Sequence, residues 1–207
     1  MKFRILIVAA AVAALLSSCK SQYELLLNSN DADLKYEAAF DYFNQGKYSK
    51  AGSLFESLSV LTNGTERDDT VRFYWGLSNY NFKDYYTAET NFENFLEIYP
   101  RSPFASEARY LRLDCLYRST LRWELDQTPT YKAMTEISEY LMEFPDTPHM
   151  QTCRDMLQDL NDRLDKKAYE AAKLYYKMER YMSSRIAFRN VLKDDAENIY
   201  REDILYY

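Results

Sequence analysis

The sequence predicts an all-α fold, an α-solenoid of antiparallel helical hairpins. Three observations carry that reading. Only 4 Gly and 5 Pro occur in 207 residues, too little punctuation for the many turns of a β-sandwich. Hydrophobic residues, 47% of the chain, recur at helical spacing rather than in alternation. A pattern of aromatic, small and aromatic side chains also returns along the chain, the mark of stacked units that bury a core only together. With 28% charged residues, 20 Tyr and 11 Phe, the composition is neither disordered nor collagenous.

The first element is an address. Met1-Lys-Phe-Arg4 is basic, Ile5 to Leu16 is apolar, and Ser17-Ser18-Cys19 follows, the order of a secretory signal. The apolar run is shorter than the roughly 20 residues that span a bilayer. Leu16-Ser17-Ser18-Cys19 resembles a bacterial lipobox. That resemblance implies cleavage before Cys19, a diacylglycerol on its sulfur and an acyl chain on its amine. Residues 1–18 are then a leader and 19–30 a lipidated tether. Lys20, where inner-membrane lipoproteins of the enteric type carry Asp, implies the outer membrane, and the lack of an acidic run favours its periplasmic side.

Hairpins follow. Tyr36, Phe40 and Tyr42 lead through Gly46 and Tyr48 to Ala51, Phe55 and Leu58. Gly76 and Tyr80 lead to Tyr85, Ala88, Phe92, Phe95 and Pro100; Ala133, Ile137 and Tyr140 lead to Pro145; Tyr175 and Tyr181 lead to Ser184, Phe188 and Val191. This resembles the tetratricopeptide (TPR) pattern, in which a small residue lets two helices approach and aromatics fill the remaining space. The solenoid is predicted over 31–207, with repeats near 31–63, 69–100, 104–145 and 148–196 and the start of a fifth at 198–207. The small residues fall at 51, 88, 133 and 184, wider than the ideal period of about 34, so inserts are expected. Polar loops are predicted over 61–70 and 120–130, and one long helix between Pro148 and Tyr175. Asn63-Gly-Thr65 and Asp69-Thr70-Val71 fit glycosylation motifs in the first of these loops. The apolar end of 198–207 reads either as a fragment or as a helix that docks on something.

Chemistry is sparse. There is one histidine, His149, expected to be solvated at a helix start, and no Gly-rich phosphate loop or Cys-x-x-Cys. Cys115 and Cys153 read as buried apolar side chains rather than a disulfide framework. No cofactor is expected beyond the acyl chains on Cys19, and no catalytic role. Dispersed basic residues and a net charge of −6 speak against nucleic acid.

The TPR frame names groove candidates on the first helices: Tyr36, Phe40 and Phe43, then Phe73, Leu77 and Tyr80, then Arg109, Leu113 and Leu116. An aromatic-lined groove suits an extended peptide with alternating aromatics. Packing against a neighbouring helix is the simpler role for any one of them. Arg185, Arg189 and Lys193 form a basic ridge for an acidic partner, or an ordinary solvated face.

Lipobox, tether and degenerate repeats together resemble the BamD family of outer-membrane β-barrel assembly lipoproteins. Phe92-Glu-Asn-Phe-Leu-Glu-Ile-Tyr-Pro100-Arg-Ser102, Thr128-Pro-Thr-Tyr-Lys-Ala133 and Lys167-Ala-Tyr-Glu-Ala-Ala-Lys-Leu-Tyr-Tyr176 strengthen this, and the Tyr content resembles Bacteroidetes members. The resemblance implies a scaffold anchored in the outer membrane on the periplasmic side. Its partners would be POTRA domains of a BamA-type barrel, unfolded outer-membrane protein precursors and other assembly lipoproteins. A nutrient-uptake lipoprotein of the SusD type and a general envelope TPR adaptor are the alternatives.

Overall fold

The computed structural model describes residues 22–206; the leader, Cys19 and its predicted acylation lie outside them. Among the described residues there are ten helices and no strand, so the all-α, TPR-like prediction holds. No helix among them is long and apolar enough to cross a membrane. The chain divides into two compact units between Ala105 and Ser106.

The first unit holds α1 (Gln22–Leu27), α2 (Ala32–Asn44), α3 (Tyr48–Leu61), α4 (Asp68–Asn81) and α5 (Tyr85–Ile98). Successive helices from α2 to α5 pack on one another, and α1 lies against α2 and α3. The segment predicted as a tether is thus partly helical. Tyr23, Leu26 and Leu27 fall at i, i+3 and i+4 and supply an apolar face that packs on the core of Ala39, Ala51, Leu54, Phe55, Leu58 and Val71.

Helix ends follow local chemistry. The Asp31 carboxylate caps α2 by accepting the Leu34 N–H (3.0 Å), and Asp84 caps α5 by accepting the Thr87 N–H (3.2 Å). At the α2–α3 turn Gly46 sits at φ 72°, where the next N–H, that of Lys47, reaches back to the Tyr42 carbonyl at 2.9 Å. The same left-handed turn recurs with Lys83 (φ 68°) between α4 and α5, so only one of the two carries glycine's signature.

The small residues of the pattern are buried. Ala51, Ala88 and Ala133 are fully buried and Ser184 is 2% exposed. Gly76 in α4 shows the tightest approach: a Cβ there would stand 2.8 Å from Cε1 of Phe92, itself fully buried.

The predicted loop over 61–70 is shorter than expected, because Asp68 starts α4. Its buried carboxylate accepts from Arg72 Nε (3.0 and 3.1 Å) and from the Tyr99 hydroxyl (2.5 Å), tying the α3–α4 connection to the end of α5. Burial, and then this bond, raise the Tyr99 pKa. Asn63 stays exposed, but Asp69 and Thr70 are half-buried in the first turn of α4 and Val71 is core, so that motif does not lie in an exposed loop.

The second unit contains α6 (Ala105–Arg118), α7 (Thr128–Glu143), α8 (Met150–Lys177), α9 (Tyr181–Asp194) and α10 (Arg201–Tyr206). The predicted long helix is α8, and it serves two clusters. Its first half gives Cys153, Met156 and Leu160 to a core with Leu113, Leu116, Ala133, Ile137 and Tyr140. Its second half gives Tyr169 and Ala172 to a core with Phe188 and Ile204. The apolar stripe differs from the expected one near its end, where Ala171 and Tyr175 are exposed. The α6–α7 loop is fixed to α8 by Lys167 Nζ, which donates to the carbonyls of Trp123 (3.2 Å) and Leu125 (2.8 Å). Cys115 and Cys153 are free and buried, and burial pushes the Cys153 thiol up to about 11. His149 is not simply solvated: its ring stacks on Tyr110 (3.7 Å, 4°) and its Nε2 is 3.4 Å from a Glu107 carboxylate oxygen.

Gly76→Ala sets two effects against each other. Alanine favours the helix by about 1 kcal/mol, whereas overpacking a tight contact costs about 1–3 kcal/mol. The neighbour here is a core ring rather than a flexible chain end, so a net loss is expected, read as a lower midpoint in denaturant. Glu179, at the α8–α9 turn, has φ 58°. Glu179→Gly relieves about 1–2 kcal/mol of left-handed strain against about 0.4–1 kcal/mol of added unfolded-state entropy. Thermal denaturation should show a gain of about 0.5–1 kcal/mol.

Candidate interaction surfaces

In the first unit Tyr36, Phe40 and Phe43 are spaced i, i+4 and i+7 on α2 and share one face. Tyr74 of α4 meets that face, with ring centroids 4.7 Å from Phe40 and 5.2 Å from Phe43. Tyr36 lies 4.8 Å from Phe40, and Phe104 continues the row 6.3 Å from Tyr74. All five rings are partly exposed. They form an aromatic platform of edge-to-face and tilted contacts, the geometry such rings favour.

Phe73 does not belong to it. It is 5% exposed, lies near Phe92 and Phe95, and stacks on Phe104 at 4.6 Å. Tyr74 is not evident from the sequence because two aromatics stand side by side and only the helix rotation decides between them. Gly76 held the signal: it faces α5, and the residue three before it, Phe73, shares that face. Leu77 is half-buried, and Tyr80 makes an edge contact with Tyr85 (5.7 Å) at the α4–α5 turn.

Of the candidates in the second unit, Leu113 and Leu116 are core residues, 3% and 8% exposed, and cannot line a groove. Arg109 does line a cavity, of about 420 Å³, with Ser106, Tyr140, Glu143 and Asp146. Its guanidinium lies 5.3 Å from the centre of the Phe144 ring, a cation–π contact. Eight of the nine residues expected to form a groove thus divide among platform, turn, core and cavity, and Leu77 is half-buried outside all four.

Arg185, Arg189 and Lys193 are exposed along α9 at i, i+4 and i+8. Tyr181, Met182 and Ile186 are exposed beside them, so the ridge is both cationic and apolar. A cleft of about 890 Å³ with Ala168, Val191, Asp165, Asp194, Asp195 and Glu197 in its lining is also part of this unit, and no basic side chain lines it. Buried Asp165 accepts the Ile199 N–H at 3.1 Å, yet its pKa is raised, first by loss of solvent. No group of three or more His, Cys, Asp or Glu among the described residues is placed to hold a metal ion.

A raised carboxyl pKa means that Asp165 favours folding below its unfolded value and that this support is lost as pH rises through the folded value. Asp165→Asn keeps an acceptor for Ile199. Its stability relative to the native chain should therefore grow from acid to neutral pH, as followed by denaturant titration; equal differences at both ends would contradict the assignment.

A family model described as outer membrane lipoprotein, YfiO, matches residues 28–207. The chain is similar to the outer membrane protein assembly factor BamD of Caulobacter vibrioides, 21% identical over 203 residues, covering 97% of this chain and 67% of that protein. It is also similar to a protein of Aquifex aeolicus provisionally named as the same factor, 29% identical over 173 residues, covering 83% of this chain and 56% of the relative. The chain therefore spans between about half and two thirds of the length of these relatives.

Proposed function

We propose a function from one premise: the chain belongs to the YfiO family of outer membrane lipoproteins. On that footing it acts in outer membrane protein assembly as a non-enzymatic scaffold, acylated at Cys19 and held on the periplasmic side of the membrane. The observation that carries this is the family match over nearly all of the described residues, together with two relatives named as assembly factors.

The surfaces suit two kinds of protein partner. The platform of Tyr36, Phe40, Phe43, Tyr74 and Phe104 offers rings to an unfolded barrel precursor, whose strands carry alternate outward apolar and aromatic side chains. The ridge of Arg185, Arg189 and Lys193 offers charge and apolar area to an acidic, apolar patch on the POTRA region of a BamA-type barrel. Charge at such a contact sets encounter rate and register, and the desolvated apolar centre holds the complex. Neither role requires a bond to be made or broken.

Affinity capture of the tagged chain from detergent-solubilised outer membranes should recover a POTRA-bearing barrel protein. Arg185→Glu with Arg189→Glu should reduce that recovery at least tenfold while leaving the melting temperature within a few degrees, since both side chains are exposed. Recovery of a TonB-dependent transporter instead would point to nutrient uptake and end the assembly reading.

A further inference from the structure

We infer that the end of the first unit that carries the Gly46 and Lys83 turns is a lipid-headgroup contact surface, seating the protein on an anionic leaflet beside its own anchor. This rests on the acylation of Cys19 proposed above. Its geometric basis is the position of α1. The Tyr23 hydroxyl donates to the Lys50 carbonyl (3.2 Å), and the Tyr23 ring meets Tyr42 edge-on at 5.5 Å. The first turn of α1 is therefore fixed at the end of the α2–α3 hairpin where the chain reverses.

Cys19 precedes Gln22 by three residues, and three residues reach at most about 11 Å. Whatever path they take, the backbone of the acylated Cys19 stays within that distance of the first turn of α1. The surface presented there has the chemistry of a bilayer interface. A shallow pocket of about 440 Å³ is lined by Lys47, Lys50, Lys83, Tyr48 and Phe82, among others, and by no carboxylate. Lys50 Nζ lies 5.1 Å from the Tyr23 ring centre and 5.5 Å from that of Tyr42; Lys47 Nζ lies 5.6 Å from the latter. These contacts hold two ammonium groups over the rings beside the anchor. Asp84, the acid next to Lys83, is engaged as the cap of α5. Phe82 and Tyr86, 57% and 80% exposed, flank Lys83. Lysines interleaved with exposed aromatics are what anionic headgroups and the acyl boundary bind together, and a basic patch is the usual second signal beside a lipid anchor.

The test uses the lipidated chain reconstituted on phosphatidylcholine vesicles, with and without phosphatidylglycerol. Flotation reports the anchor, and hydrogen exchange of amides 46–50 and 81–86 reports the patch. Phosphatidylglycerol should slow exchange in both segments, on the order of fivefold for each lysine engaged, and high sodium chloride should reverse it. The combined variant Lys47→Gln, Lys50→Gln and Lys83→Asn should float as well as the native chain but lose the added protection. Asparagine is chosen at 83 because it tolerates positive φ. Flotation with equal exchange on both vesicle types would overturn the contact surface while sparing the anchor. Failure of the native chain to float would overturn the anchor and this inference with it. Protection that survives in the variant or in salt would also count against it.

Discussion

How closely two helices can approach is the constraint on which the rest of this molecule depends. Dispersion contacts are worth little singly and fall away over fractions of an ångström. A hairpin holds together only if its helices come near enough for whole faces to touch. Ala51, Ala88, Ala133 and Ser184 are fully or almost fully buried. At Gly76 the space that a Cβ would need is taken by the Phe92 ring. The small residues fill little volume themselves. They allow Phe55, Phe92, Phe95 and Phe188 to be buried, and it is those rings that remove large apolar area from water.

That constraint also fixes what each helix shows to solvent. With Gly76 against α5, Phe73 is turned inward and Tyr74 toward Phe40 and Phe43. Rotation by one residue, about 100°, separates a core ring from a platform ring. The fold class was legible because burial repeats with a period that composition cannot hide, and the long α8 was legible from an apolar stripe without Gly or Pro. The platform was legible on α2, where Tyr36, Phe40 and Phe43 are each followed by a polar residue and no three aromatics run together, and not on α4, where Phe73-Tyr74-Trp75 places three in succession. On α6 the frame failed for a related reason. The repeat frame places Leu113 and Leu116 in a groove, but the second unit uses them to close its core against Ile137 and Leu160. Loop chemistry was the least legible. Nothing in Asp68-Asp69-Thr70 says that the first carboxylate will be buried under Tyr99, because that partner lies 31 residues away.

Charge is sorted more finely than a net value of −6 suggests. Acidic groups gather in the cleft with Asp165, Asp194, Asp195 and Glu197, while the same helix α9 exposes Arg185, Arg189 and Lys193. A helix places residues i, i+4 and i+8 in one column, so one short segment can offer a cationic column and still give Val191 and Asp194 to an acidic cleft. Net charge governs solubility and distant repulsion. Partner choice is set within about a Debye length of the surface, roughly 8–10 Å, where these local columns dominate.

Strain at the hairpin turns separates structural need from functional use. Gly46, Lys83 and Glu179 all adopt positive φ, and in all three turns the following N–H reaches back to a carbonyl five residues before it. Glycine meets the geometry without a Cβ penalty, whereas lysine and glutamate hold it at about 1–2 kcal/mol each. Because Glu179 bears that cost with no cationic role, strain alone does not mark a site. What distinguishes Lys83 is its company: Lys47 and Lys50 line the same pocket, Phe82 and Tyr86 stand exposed beside it, and the Tyr23 hydroxyl of α1 donates to the Lys50 carbonyl. A glycine at 83 would ease the backbone and remove one of three ammonium groups from that pocket. In the lipid-contact reading, about 1 kcal/mol of headgroup attraction per lysine offsets a cost of the same order, so stability and membrane seating are balanced at this one turn.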